Sequence, residues 1–369
     1  MPDLPKKQCT GCSACFGICP NGSIGMIADG EGFLYPAVDR AKCVGCRLCE
    51  DVCPVLRKPA AKDCQGTRVF AAWSLDGEVR RRSTSGGIFT ELAKAVIGRG
   101  GYVAGARYDD AHLVGHRVIA SEWDIPLLRQ SKYVQSDMGA VFREVKELLE
   151  KGRPFLFAGC PCQVAGLLGF LGRDYDNLLL CDFICRGVNS PKAYKKYLES
   201  LEKQYRSKIR RVWFKNKTLG WNRFGTRIEF EDGTEYFADR DTDPFMRGYL
   251  NYNLYLRPSC SDCSFKGFPR HSDITLADFW GIRLRDGSVD EDGGTSLVML
   301  HTQKGRELFE SIRERIFQEE HTLGEALPFN QCAERSVLPG KYRDLFFREI
   351  DRSDFFELLH QIMEKSDGK

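Results

Sequence analysis

Two runs of cysteine constrain this chain more than any other feature it has. CTGCSACFGICP at residues 9–20 and CVGCRLCEDVCP at residues 43–54 share the spacing C-x-x-C-x-x-C-x-x-x-C-P. The N-terminal MPDLPKKQC has no apolar stretch behind its two lysines, so a signal peptide is not expected and a cytoplasmic location is. In that compartment thiols stay reduced, and sixteen cysteines point to metal ligation or redox chemistry rather than to disulfides. Structural zinc also favours paired C-x-x-C, but usually separates its pairs by a dozen or more residues. Here a third thiol follows at once, which lets one loop wrap three corners of a 4Fe–4S cube while the fourth cysteine reaches to the other cube. The spacing assigns Cys9, Cys12, Cys15 and Cys53 to one cluster, and Cys43, Cys46, Cys49 and Cys19 to a second. Pro20 and Pro54 end the ligand loops, since proline has no N–H with which to continue a helix.

This segment resembles bacterial-type two-cluster ferredoxins. It covers about residues 1–60, and KPAAKDC reads as the linker leaving it. A length of 369 residues implies a second, larger domain, taken as residues 65–350. A net charge of +3 argues neither for nucleic acid nor for an anionic membrane surface. No apolar run has the length of a membrane span.

From Arg68 onward short apolar runs alternate with amphipathic stretches. RVFAAWS, YVAGARY, HRVIA, PFLFAG and NLLLCDFIC read as strands. GAVFREVKELLEKG reads as a helix whose Val141, Phe142, Val145, Leu148 and Leu149 share a face, with Ser136 as a start cap and Gly152 after its end. IEFEDGTEYF reads as a hairpin turning at Asp232-Gly233. The fold class is α+β (mixed α/β): a small ferredoxin-like two-cluster domain, then a larger mixed-sheet domain. Strand order is not readable.

Two features of the larger domain bear on chemistry. In STSGGIFTELAKAV, hydroxyls and glycines precede an amphipathic run, which suits either a phosphate at open N–H groups or simple capping by Ser83 or Ser85. Beyond the first eight cysteines, Cys160, Cys162, Cys181, Cys185, Cys260 and Cys263 lie in three loops, while Cys64 and Cys332 stand alone. Four from three loops suffice for a third cluster, and spacing does not choose which four.

STSGGIFTEL, GCPCQVAGL, DFICRG, RPSCSDCSFKG and DITLADFWG, in that order, resemble the coenzyme F(420) hydrogenase/dehydrogenase beta-subunit family. The resemblance implies a flavin-binding fold with FAD, and Cys162, Cys185, Cys260 and Cys263 as ligands of a third 4Fe–4S cluster. Cys160 stands where the family commonly has threonine and competes with Cys162 for that role. Ser83, Thr84, Ser85, Gly86 and Gly87 are implied at the flavin, with Ser85, Gly86 and Gly87 near its pyrophosphate or ribityl chain. Lys132 and Tyr133 precede a helix and are expected at the flavin, Lys132 near N1; Asp278 continues an apolar strand face, must be paired, and is expected to support the site. Arg80, Arg81 and Arg82 suit either the FAD phosphates or a solvated face. The insert 186–259 interleaves Trp213, Lys215, Lys217, Trp221, Arg223 and Arg227 with turns and strands; it reads as core with a solvated face, or as a substrate pocket with Trp221 and Arg223 at the substrate. The expected function is an iron–sulfur flavoprotein oxidoreductase that passes electrons between a ferredoxin-type carrier and a small organic hydride donor or acceptor. A deazaflavin-oxidising dehydrogenase and an electron-transfer subunit without its own substrate are the alternatives.

Overall fold

The computed structural model describes residues 4–62, 66–286, 290 and 292–366; Cys64 lies outside them. The first 60 residues hold the strands β1 (Ile24–Ala28) and β2 (Leu34–Val38), paired antiparallel between the two cysteine loops. Each loop turns through one short helix, Ala14–Ile18 or Leu48–Asp51.

The remaining strands are β3 (Arg68–Ser74), β4 (Tyr102–Tyr108), β5 (Val114–Ile119), β6 (Phe155–Ala158), β7 (Leu178–Phe183), β8 (Ile209–Asn216), β9 (Gly225–Phe230), β10 (Glu235–Asp239), β11 (Ile274–Asp278), β12 (Ser296–Leu300) and β13 (Ile316–His321). Eight of them form one mixed sheet, ordered β13-β3-β12-β11-β7-β6-β4-β5. The central run β11-β7-β6-β4 is parallel, and the flanking pairs are antiparallel. Parallel strands are covered on both faces, which is why β6 and the start of β7 read as unbroken apolar runs, FLFA and LLL. Helices Ile88–Ile97 and Gln303–Glu310 pack one face through Leu92, Val96 and Phe309. Helices Val141–Glu150 and Pro161–Leu171 pack the other through Phe142, Val145 and Val164, and there Cys12, Ala14 and Val52 of the cysteine loops join the same core.

The expected hairpin is present: β9 and β10 pair across Asp232-Gly233, with Gly233 at φ 86°. With β8 they make a second, three-stranded sheet. Its core is aromatic, with Tyr197, Phe214, Phe245 and Tyr255 packed against Phe346 and Phe355 of the C-terminal helices. The helix start expected at Ser136 is different. Ala140 opens that helix without a side-chain bond, and the Ser136 hydroxyl donates to His116 Nδ1 at 2.7 Å. Among the described residues, no helix is long and apolar enough to cross a membrane.

Candidate metal and cofactor site

Ligands of open α/β sheets sit beyond the carboxyl ends of the parallel strands. Here a cleft of about 670 Å³ occupies that place, floored by Ala158 of β6, Asp182 and Phe183 of β7, and Ala277 and Asp278 of β11. Its volume lies within the range of small-molecule sites. One wall is the loop before helix Ile88–Ile97, where Ser83, Thr84, Ser85 and Gly87 line the cleft. Neither serine caps the helix: Ser83 donates to the Val79 carbonyl and Ser85 to the Thr295 carbonyl, both at 2.7 Å. Gly87, at φ 91°, precedes the first turn, and no side chain takes its N–H groups. Ile88 and Phe89 of that turn line the cleft. A free helix N-terminus in a cleft suits an anionic group such as a pyrophosphate.

Gly86 is different from its neighbours. It does not line the cleft; a Cβ there would stand 2.4 Å from the Ala72 carbonyl and 2.9 Å from Trp73. Its missing side chain lets the loop lie on β3. The three arginines before it are engaged elsewhere. Arg80 pairs with Asp290 at 2.6 Å and lies over the Trp73 ring, while Arg81 and Arg82 pair with Glu78.

Lys132 and Tyr133 also line the cleft, next to Ser131, whose N–H donates to Thr84 Oγ1 at 2.8 Å. Burial pushes Lys132 down to about 7, against carbonyls of Leu128, Arg129 and Gln130 that accept from its Nζ and favour the ammonium. Burial pushes the Tyr133 phenol up. Asp278 is paired, as its position on an apolar strand requires: Lys215 Nζ bonds one oxygen, and Trp221 Nε1 donates to the other at 2.8 Å. Trp221 is thereby committed to the wall, 3% exposed and stacked on Trp280 at 4.5 Å. It does not line the cleft, and neither does Arg223, which pairs with Asp239 at 2.8 Å. The middle of the insert instead contributes Lys215, Phe224 and Arg240, and its two ends contribute Arg186, Gly187, Val188, Tyr249 and Leu250. Lys215 lies on β8, where alternation identifies two strand faces without saying which faces a ligand, and Phe224 and Arg240 flank β9 and β10.

Next to the cleft is a smaller cavity of about 40 Å³, lined by six thiols: Cys160, Cys162, Cys185, Cys260, Cys263 and Cys332. Cys160, Cys185, Arg186 and Cys332 line both spaces. The thiols sense one another. Burial, then Cys185, pushes Cys260 up, with Cys162 and Cys263 adding to it. Burial and Cys162 push Cys263 up to about 11. A hydrogen bond from Cys160 pulls Cys185 down to about 7, burial opposing and Lys266 assisting. Cys160 is held protonated by its bonds to Cys162 and Cys185. Cys181 is buried in β7, outside this cavity, where burial pushes its thiol up. Cys160, Cys260 and Cys263, pushed up in this way, need a strong positive centre before they ionise.

The cysteine loops behave alike. Burial, then Cys9 and Cys53, pushes Cys15 up to about 12, with Cys49 adding to it. Burial pushes Cys12 and Cys53 up too; Cys15, Cys53 and Cys162 act on the first, and Cys9 and Cys49 on the second. Cys9, Cys12, Cys15 and Cys53 thus form one neighbourhood, which borders the six-thiol cavity through Thr10 and Gly11 of the same loop. In the second loop Cys43 and Cys46 are exposed, and Cys49 is half-buried. Cys19 is drawn down although burial opposes it, because the Ser23 hydroxyl and backbone groups of Ser23, Asn21 and Ile24 bond its sulfur. Among the described residues, no group of His, Cys, Asp or Glu converges closely enough for a single metal ion. A four-iron cube is held at its corners, so its ligands spread more widely than those of one ion.

Residues 152–325 match the family model for the C terminus of the coenzyme F(420) hydrogenase/dehydrogenase beta subunit, and residues 3–58 match that for a 4Fe-4S dicluster domain. A chain in the solved structure of the xenon-derivatised F(420)-reducing NiFe hydrogenase complex from Methanosarcina barkeri is similar at 18% identity and a TM-score of 0.46, over 83% of this chain and 94% of that one. No curated protein matches.

Proposed function

We propose, from the match of residues 152–325 to the coenzyme F(420) hydrogenase/dehydrogenase beta-subunit model and of residues 3–58 to the 4Fe-4S dicluster model, that the chain is an iron–sulfur flavoprotein oxidoreductase. It passes electrons between a ferredoxin-type carrier and a small organic hydride donor or acceptor. The observation that carries the reading is the shared wall: a thiol-lined cavity opens on the cleft side to Cys185 and Cys332, and on the other side is bounded by Thr10 and Gly11 of the first cysteine loop.

Residues 1–60 are then the two-cluster unit and the chain from residue 65 the flavin-binding one. Cys9, Cys12, Cys15 and Cys53 hold one cluster; Cys43, Cys46, Cys49 and Cys19 hold the next. Cys162, Cys185, Cys260 and Cys263 hold a third, and Cys160 bonds the sulfurs of Cys162 and Cys185 from beside them. FAD fits the cleft, with its pyrophosphate at the first turn of helix Ile88–Ile97 beside Ser83, Thr84, Ser85 and Gly87. When bound, the clusters supply single electrons and FAD a two-electron hydride exchange. The protein's residues do the placing. Lys132 offers a charge beside the ring system, Tyr133 an apolar face, and Lys215 and Trp221 hold Asp278 fixed in the floor of the cleft. No side-chain nucleophile is needed.

Metal and flavin analysis of anaerobically purified protein is the test, with about twelve irons and one FAD per chain expected. Cys260→Ser should lose about four irons and keep the dicluster pair; loss of none removes the third cluster from the reading. Turnover of organic substrates driven by reduced ferredoxin separates the oxidoreductase from a subunit that only relays electrons, and oxidation of a reduced deazaflavin identifies the dehydrogenase alternative.

A further inference from the structure

The cavity lined by six thiols is bordered by cations that have no carboxylate. Arg257 is 1% exposed. Its Nε donates to the Cys9 carbonyl at 3.0 Å, its Nη1 to Gln135 Oε1 at 3.2 Å and its Nη2 to the Leu34 carbonyl at 3.1 Å. The guanidinium plane rests over the Tyr35 ring at 4.2 Å. Every one of these acceptors is neutral. Glu31, on the same hairpin as Leu34, is taken by Arg343. Lys266 reaches the same cavity, and its Nζ donates to the Cys185 carbonyl at 2.5 Å and the Cys332 carbonyl at 2.7 Å. Arg270, by contrast, lines the cavity but has Asp182 at 3.0 Å.

A buried cation held only by neutral groups is costly, because carbonyl dipoles replace only part of its hydration. Half-buried Lys266 and Arg186, whose hydrogen-bond acceptors are also neutral, face the same small cavity, and like charges there repel one another. Both costs vanish if the cavity holds net negative charge. Four thiolates around a 4Fe–4S core leave it net negative, and each electron taken up makes it more so. Arg257 is placed to serve two clusters. It belongs to the loop that continues into Cys260 and Cys263, yet it grips the backbone of Cys9. Gly11 makes room for this: at φ 69° it carries no Cβ, and one would stand 2.9 Å from Arg257 Nη1.

We propose that Arg257 and Lys266 are the fixed counter-charges of the clustered thiols, Arg257 being shared by the Cys9 cluster and the Cys162–Cys263 cluster, and that they make both easier to reduce than neutral surroundings would. Both are positioning residues, touching ligand loops and not iron. The proposal rests on the cluster assignment above, and the two fail separately. Iron content tests the assignment, and the redox poise of assembled clusters tests the counter-charge.

The experiment is an electron-paramagnetic-resonance redox titration of the full-length, anaerobically purified protein against dithionite, after iron analysis, for wild type, Arg257→Lys, Arg257→Gln and Lys266→Gln. At a fixed solution potential Arg257→Gln should lower the reduced-to-oxidised ratio of two clusters by about tenfold or more, since a charge is removed a few ångströms from each in a poorly screened site. Arg257→Lys keeps the charge and should restore most of that ratio. Lys266→Gln should shift the third cluster alone. Equal shifts in the lysine and glutamine variants, or none, would overturn the proposal, because either shows geometry rather than charge at work. If Arg257→Gln does not assemble clusters, Lys266→Gln decides, and an unchanged third cluster overturns it. Wild-type protein with iron for only two clusters overturns the cluster assignment on which the proposal rests, whereas a full iron complement with unshifted ratios overturns the counter-charge alone.

Discussion

His116 shows how a polar residue is made inert in the wall of the cleft. The Ala158 carbonyl only accepts, so Nε2 carries the proton and donates to it at 3.0 Å, leaving Nδ1 to accept from the Ser136 hydroxyl. Burial pushes its pKa down to about 4, and that of His301, held between the Thr67 and Thr275 hydroxyls, down to about 4 as well. The unfolded chain protonates each near 6.5, so between about pH 6.5 and 4 it binds protons that the folded protein does not. Stability therefore falls with acid across that window, by up to about 1.4 kcal/mol per pH unit for each histidine. Urea midpoints between pH 7.5 and 5 check this, and His116→Gln should make the decline shallower whatever it does to the absolute midpoint. A slope unchanged in the variant would mean that His116 is protonated in the folded state. Asp278 and Trp221 show how far residue type reads. Asp278 reads as a carboxylate needing a partner, and has two; Trp221 reads as a candidate for substrate, and is one of those partners. Residue type shows what bond is needed but not who supplies it.

Among the elements, helix Pro161–Leu171 does most to join the two parts of the chain. Cys162 is in its first turn, and its glycines then face the cysteine loops. A Cβ on Gly166 would stand 2.9 Å from Cys12 Sγ, and one on Gly169 2.5 Å from the Val52 carbonyl. Gly169→Val should therefore cost about 1–3 kcal/mol through overpacking, read as a lower urea midpoint together with faster loss of iron from the dicluster pair. A midpoint within error of wild type would show that the loops yield at this contact. The helix's glycine spacing is visible in GCPCQVAGLLGFLG, but nothing in one sequence says that a glycine face meets another segment 110 or more residues away. Elements with strong local signals are legible. The strands at 68–74 and 102–108 coincide with RVFAAWS and YVAGARY, and the hairpin turns at Asp232-Gly233. Periodicity reports burial of a face, not the neighbour that buries it, so the order β13-β3-β12-β11-β7-β6-β4-β5 is out of its reach. Gly86 escapes for the same reason: sequence points it at a ligand, and its close neighbour is β3.

At the scale of the whole molecule the thiols form a graded series. Cys43 and Cys46 are exposed, Cys15 and Cys53 sense Cys49, Cys12 senses Cys162, and Cys185 stands in the wall of the cleft. A protein carrier is too large to enter the cleft, so if electrons come from one they must arrive where thiols reach the surface, and that is the second cysteine loop. Val44, at 69% exposed, and Leu48, at 39%, leave apolar surface there for a partner to cover. A small hydride donor has no such constraint and reaches the cleft directly. Arrival through the thiols and arrival through the cleft can therefore be separated. Cys46→Ser should lower iron content by about four and leave bound flavin unchanged. It should slow flavin reduction by a reduced ferredoxin-type protein at least about tenfold, because the remaining clusters lie farther inside. Reduction of the same flavin by a small hydride donor should keep its wild-type rate. Stopped-flow absorbance of the flavin reads both in one preparation. If the carrier-driven rate survives the loss of the outer cluster, electrons come in elsewhere, and the graded series is a structural arrangement rather than a path.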